Sequence, residues 1–219
     1  MAAGKKSWTK KFLSIQERLL LEKKIKNLET QTGAELVVVI LKSADSYLSA
    51  PLLIATLFTF LSTLIISTLL TFSHEIYLIL SQIPLFFIFY YLGRLPFFKI
   101  LAVSDTKKCE EFNEKALTLF LELGVNKTND RNGSILVISL FERKIRLLVD
   151  ETLSKKISQN ELDSFVQTLI PHFKKKKFYT GLNASLELLE KKYLELKLKK
   201  EITQTNDQLS NTIRWFDFS

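Results

Sequence analysis

From Leu48 to Gly93 the only formally charged side chain is Glu75, and nearly every other residue is Leu, Ile, Phe, Thr, Ser or Tyr. A bilayer core takes roughly 20 apolar residues per helix, so the run has length enough for two spans. One is expected from about Leu48 to Phe72 and the other from about Ile76 to Phe98. Ser73, His74 and Glu75 are the only polar cluster between them and are expected to form the turn. In lipid every backbone N–H and C=O must be bonded within its own segment, which leaves a helical hairpin. The competing reading is a helical pair buried in a soluble core. Apolar runs of this length offer no polar face to solvent, which favours the membrane.

The hairpin divides what remains of the 219 residues into a short first part and a longer second part of one α/β domain. The expected division is a basic N-terminal segment over 1–13 and the first part of the domain over 14–47. The hairpin follows over 48–98, the second part of the domain over 99–200, and a mobile tail over 201–219. Net charge is +8, and Lys5, Lys6, Lys10, Lys11, Arg18, Lys23, Lys24, Lys26 and Lys42 precede the first span. Arg94, Lys99, Lys107 and Lys108 follow the second, whereas the turn between the spans has no Lys or Arg. By the positive-inside rule both flanks, and hence both termini, lie on the cytoplasmic side. A bacterial inner membrane is the expected location.

The basic excess also suits nucleic acid. With two spans present, attraction to anionic lipid headgroups explains it more simply, and no nucleic acid is expected as a partner. The single cysteine, Cys109, allows no internal disulfide and fits a reducing compartment. Residues 1–14 have no apolar segment of a secretory signal, so delivery to the membrane is expected to rest on the hairpin.

Ser14-Ile15-Gln16-Glu17 has the form of a capping box. It opens an expected helix with Ile15, Leu19, Ile25 and Leu28 at helical spacing and Gly33 just past its end. Glu35 to Leu41 is a β-branched run whose unbroken apolar character suggests a strand covered on both faces. After the hairpin, Ser104 or Asp105 can cap a helix carrying Cys109, Phe112, Ala116, Leu119, Phe120 and Leu123, closed by Gly124. Ser134 to Leu140 reads as a second buried strand, Phe141 to Lys144 as a turn, and Ile145 to Val149 as a third strand nearer the sheet edge. Ser158 with Glu161 is a second capping box, opening a helix with Leu162, Phe165, Val166, Leu169 and Ile170 inward. A last helix is expected from about Gly181 to Lys200.

These residues resemble the TPM domain family, and in particular its bacterial membrane-embedded branch. The likeness is carried by Thr32-Gly33-Ala34-Glu35 before the first strand, by Asp45-Ser46-Tyr47 before the hairpin and by Arg94-Leu95-Pro96 at its exit. It continues through Phe120 with Leu123-Gly124, Thr128 with Arg131 and Gly133, and Ser139-Leu140-Phe141-Glu142-Arg143. Val149-Asp150 and Phe178 with Gly181-Leu182 complete it. The resemblance covers about residues 14–195. It implies a small mixed sheet flanked by helices, interrupted after its first strand by the hairpin. It also implies association with assembly or repair of membrane complexes, with calcium binding in some members and weak acid phosphatase activity ascribed to plant members. Two positions depart from the pattern. Arg131 stands where soluble members have an Asp that suits a metal, and a cation there argues against a calcium site of that type. Thr152 stands where the family tends to have Gly, which puts a sharp turn beside Asp150 in doubt.

Phosphoryl chemistry needs a nucleophile or metal-held water and cations for the developing charge. The candidate residues are Asp150 as the catalytic group, with Asp130, Asp150 and Glu151 as candidate ligands of Ca or Mg. Antiparallel pairing of the second and third strands would bring Asp130 and Asp150 to one sheet end, which suits a site and suits two solvated loop acids equally. Two isolated histidines and one cysteine make no zinc pattern, and no Gly-rich phosphate loop occurs. No ionisable group lies at mid-membrane, as a transport path would want. Arg94 and Lys99 are expected at the membrane interface, as are Lys174, Lys175, Lys176 and Lys177 on anionic headgroups or, alternatively, as a solvated helix end. Ser62, Thr63, Ser67, Thr68, Ser81 and Gln82 are candidates for bonds across the hairpin. Trp215, Phe216 and Phe218 either dock on a partner or membrane or pack back onto the domain. The expected role is a non-catalytic accessory or scaffold working with another membrane protein. A weak metal-dependent acid phosphatase or a divalent-cation-binding regulator is the alternative.

Overall fold

Strand β1, Glu35–Leu41, buries six of its seven residues, and its side chains alternate between two separate cores. Leu36, Val38 and Ile40 point to one and Val37, Val39 and Leu41 to the other. A strand can be apolar on both faces only if helices cover both, and the computed structural model shows this arrangement. It describes residues 8–9, 12–69, 75–196, 209 and 211–218. The expected turn at Ser73 and His74, the basic residues Lys5, Lys6, Lys10 and Lys11, and most of the expected tail lie outside the described residues.

The order is α1 (Ile15–Thr32), β1, α2 (Ser49–Leu69), α3 (Glu75–Gly93), α4 (Pro96–Ala102), α5 (Asp105–Glu122), β2 (Gly133–Ser139) and β3 (Lys144–Val149). Then come α6 (Glu151–Ser154), α7 (Gln159–Lys174), α8 (Phe178–Glu195) and β4 (Arg214–Phe216). The chain divides into two compact units. One holds the described residues up to Ala44 and from Phe112 to Phe218, and the other is Asp45–Glu111.

The first unit is a mixed α/β domain with a four-stranded sheet in the order β3-β2-β1-β4. β2 runs parallel to β1 and antiparallel to β3. One face is covered by α1, α7 and α8 through Leu21, Ile25, Leu28, Leu162, Leu169 and Leu186, the other by Phe112, Ala116 and Leu119 of α5. Both capping boxes are present, Ser14 with Glu17 and Ser158 with Glu161. Gly33 closes α1 in the left-handed conformation, φ 73°, which favours a residue without Cβ. Ile15 and Leu19 are exposed at 65% and 59%, contrary to the spacing argument. The buried stripe of α1 is Leu21, Ile25, Leu28 and Thr32, and residues 15 and 19 fall off it because 3.6 residues per turn carries them around the helix. Helix α8 begins at Phe178, three residues before the expected start.

Strand β4 corrects the expectation of a mobile tail over 201–219. Arg214, Trp215 and Phe216 pair parallel with Val39, Ile40 and Leu41. Lys42 forms an ion pair with Asp217 at 3.0 Å, the Lys115 ammonium lies 3.5 Å from the Phe218 ring centre, and Ile213 N–H donates to Glu22. The terminal aromatics pack back onto the domain, because the free edge of β1 offers backbone partners that an isolated three-residue segment lacks.

The second unit contains the two helices long and apolar enough to cross a membrane, Ser49–Leu69 and Ile76–Gly93. They form a hairpin after the first strand. Their large side chains face outward, with Leu53, Phe60, Ile79, Ile83 and Tyr91 all exposed. The second helix ends at Gly93, short of the expected Phe98, and α4 starts afresh at Pro96, where a proline suits the first turn. Gly93 lies so close to α2 that a Cβ on it would stand 2.9 Å from Pro51 Cα. The hydroxyls expected to bond across the hairpin do not. Ser62 and Thr63 donate to Thr59 O, Ser67 to Leu64 O, Thr68 to Ile65 O and Ser81 to Leu78 O. Where surroundings are apolar, a hydroxyl finds its nearest acceptor on its own helix, three or four residues back.

Candidate functional site

The antiparallel register sets Ser134 opposite Val149, so the loops before β2 and after β3 meet at one end of the sheet. Gly133 is required there, since a Cβ would collide with the Val125 carbonyl. Its own carbonyl accepts from Asp150 N–H at 2.8 Å. Asp150 is the N-cap of α6, with one carboxylate oxygen accepting Glu151 N–H at 2.8 Å. The other oxygen, Oδ2, is buried with no hydrogen-bond partner. Arg131 adopts φ 47°, a left-handed conformation uncommon for a residue with Cβ. Thr152 fixes that turn, its N–H donating to Arg131 O at 3.0 Å and its hydroxyl to Asp130 O at 2.8 Å. No glycine is needed at 152, because the residue is helical; the unusual backbone lies at Arg131. Asn132, buried, donates through its side chain to Gly33 O and so ties this loop to the end of α1.

The structure brings Asp130, Asp150 and Glu151 to the same sheet end, and the ion pairs decide what they can do. Glu151 is held between Lys155 at 2.7 Å and Arg131 at 3.1 Å. The hydrogen bond and charge of Lys155, then the charge of Arg131, keep its carboxyl below the usual carboxylate range. Calcium takes six to eight oxygens and magnesium a near-ideal octahedron. Here Asp130 is exposed, Asp150 is spent in part on capping, and both oxygens of Glu151 face cations. Among the described residues no three His, Cys, Asp or Glu side chains gather in a way that would hold a metal. These three acids do not fit a divalent ion, since the guanidinium and ammonium already supply the positive charge.

Arg94 and Lys99 belong to the hairpin unit. Arg94 stacks over Tyr90 and Tyr91, 4.9 and 5.8 Å from the ring centres, and donates to the Tyr90 hydroxyl at 3.2 Å. Lys99 donates to Ser46 O at 3.0 Å. Lys174 ends α7, and Lys175, Lys176 and Lys177 lead on to α8, all four exposed. Sequence reasoning assigned no role to Glu142. Its buried carboxylate accepts Ala44 N–H at 2.9 Å and the Ser43 hydroxyl at 3.2 Å, and it also bonds the Ser139 hydroxyl. It therefore fastens the β2–β3 turn to the end of β1, just before the chain leaves for the hairpin. A lone Glu in a four-residue turn gives no sign of burial.

The TPM domain family matches residues 98–192. Those residues are similar to a TPM domain. The fold is similar to that of the BA42 protein of the psychrophilic bacterium Bizionia argentinensis, solved by NMR. The TM-score is 0.55 and the identity 15%, over 94% of this chain and 96% of that one. None of the curated proteins matches the chain. The family match opens after the hairpin and takes in β2, β3, the Asp150 cap and the Glu142 turn. β1 and β4 lie outside it and are placed by their pairing in the sheet.

Proposed function

We propose that this chain is a membrane-anchored TPM-domain protein with two spans and its sheet unit on the cytoplasmic face of a bacterial inner membrane. In this reading it acts as a non-catalytic accessory or scaffold in assembly, repair or quality control of another membrane protein. The observation that carries the proposal is the outward-facing apolar surface of α2 and α3, inserted between two neighbouring strands. Such a surface has no favourable place in water, and a two-helix insertion returns the chain to the side it left. The basic flanks add attraction to anionic lipid. The Arg131–Glu151–Lys155 ion pairs favour a non-catalytic sheet end, since they leave neither a metal site nor free cations for a phosphoryl group.

The test uses the full chain with Cys109→Ser, carrying one new cysteine at position 73 or at exposed Asn160. The chain should resist carbonate extraction. A membrane-impermeant maleimide should label position 73 in intact cells and position 160 only after lysis. Release by carbonate, or the reverse labelling, removes the proposal. The phosphatase alternative rests on the unpartnered Asp150 Oδ2. It requires hydrolysis of p-nitrophenyl phosphate by the full chain, abolished in Asp150→Asn with the fold intact.

A further inference from the structure

A concavity lies in the sheet unit, at the end of the sheet away from Asp150, with a volume of about 740 Å³. This is within the range of about 300–1,000 Å³ in which proteins hold a small-molecule ligand. Its inner wall is apolar and includes Phe12, Leu140, Ile145, Phe173 and Phe178. Phe12 stacks on Phe178 at 3.9 Å, and Phe173 meets Phe178 edge-on at 5.3 Å. Among the described residues its charged lining is wholly basic: Lys42, Arg143, Lys174 and Lys176, with no Asp or Glu. Lys42 is paired with Asp217. Arg143, Lys174 and Lys176 are exposed, and no carboxylate pairs with them among the described residues.

Two more observations belong to the same place. Arg143 and Lys176 both adopt φ 56°, a conformation that side chains with Cβ rarely take, so two of these cations are held on unusual backbone at one cavity. The indole N–H of Trp8, another lining residue, is buried without an acceptor. A greasy interior under a rim of unpaired cations matches a molecule with one alkyl chain and one anionic head. The cations call for a negatively charged group, the indole for a hydrogen-bond acceptor, and the phenylalanines for a chain that leaves water.

We propose that this cavity binds a single-chain anionic amphiphile, its alkyl chain against Phe12, Phe173 and Phe178 and its head group at Arg143, Lys174 and Lys176. The head group is a carboxylate or a phosphate, from a free fatty acid or from a lysophospholipid. The site lies wholly within the sheet unit and stands whether or not the hairpin crosses a bilayer.

The chain carries its own reporter. Its only two tryptophans are Trp8 and Trp215, which pack against each other at 5.4 Å beside the cavity. The full chain in phosphatidylcholine nanodiscs is titrated with decanoate, with decanoyl lysophosphatidylglycerol and with uncharged decyl glucoside, all below their micelle concentrations. Tryptophan fluorescence should change saturably, with at least one anion binding tenfold or more tighter than the glucoside. Tighter decanoate names a free acid as the source, and tighter lysolipid names the membrane. Arg143→Asn with Lys176→Asn removes both charges while keeping a residue that tolerates the left-handed backbone. It should weaken the anions at least tenfold and leave the glucoside unchanged. No saturable change, equal binding of charged and neutral ligands, or unaltered affinity in the double variant overturns the proposal.

Discussion

β1 and α2 lie seven residues apart and draw on much the same apolar side chains, yet their surfaces face opposite ways. β1 is enclosed, with Val39 and Ile40 fully buried, because α1, α7 and α8 cover one face of the sheet and α5 the other. α2 has only α3 and the short α4 beside it in its own unit and leaves Leu52, Leu57 and Phe60 exposed. Apolar composition alone thus does not decide burial. It sets how much cover a segment needs, and the number of neighbouring elements decides whether the chain provides it. A seven-residue strand finds enough. Two helices of about twenty residues do not, and both are long and apolar enough to cross a membrane.

Charge substitution tests this contrast most severely. Val39→Asp places an unpaired carboxylate in the core beneath α5 and should cost about 4 kcal/mol or more, read as loss of cooperative unfolding of the sheet unit. Phe60→Asp should leave sheet-unit stability unchanged and reduce the membrane-bound fraction, since a central Asp costs about 2.5–3.5 kcal/mol on insertion. Equal membrane fractions for Phe60→Asp and the parent would break the comparison. Truncation comes next: Leu136→Ala should cost about 2–5 kcal/mol in denaturant titration, whereas Leu57→Ala should leave that midpoint where it is.

Within the hairpin, Gly93→Ala puts a methyl group against Pro51 and should cost about 1–3 kcal/mol, measured as a lower unfolding temperature of the full chain in detergent. Ser14→Ala removes the α1 cap and should cost about 1 kcal/mol, seen as a lower denaturant midpoint. The smallest effect is in pH. The Lys192 ammonium, and then Ser158, hold the Glu161 carboxyl down to about 2, against an ordinary value of 4.5. A depressed carboxyl stabilises the fold fully above its unfolded value, and the contribution fades as pH falls from 4.5 through 2. Glu161→Gln should flatten that part of the stability profile, checked by thermal unfolding at stepped pH.

What the sequence made legible is local. The two capping boxes, the doubly covered β1, the β2–β3 turn and the hairpin all rest on residues within a few positions of one another. What escaped depends on distant partners. β4 is a strand only because β1, some 170 positions earlier, has an open edge. The meeting of Asp130 and Asp150 followed from antiparallel pairing, whereas the Arg131–Glu151–Lys155 arrangement needed the left-handed turn at Arg131, which nothing in its neighbours announces. The aromatic cavity combines residues from four separate stretches, and no spacing rule connects Trp8 with Arg143 or Phe178.

The placement of the hairpin between paired strands also governs the order of events in synthesis. β1 emerges early, but its parallel neighbour β2 begins only at Gly133 and its other neighbour β4 at Arg214. Throughout translation of residues 42–132, one of the most apolar strands in the molecule has neither edge satisfied. Both hairpin helices are complete before the sheet has two strands. The loop-closure entropy of joining β1 to β2 therefore depends on whether α2 and α3 have already drawn their ends together. By closing that distance first, the hairpin shortens the effective loop between the two central strands to the residues on either side of it, and β4 then seals the edge that opened first.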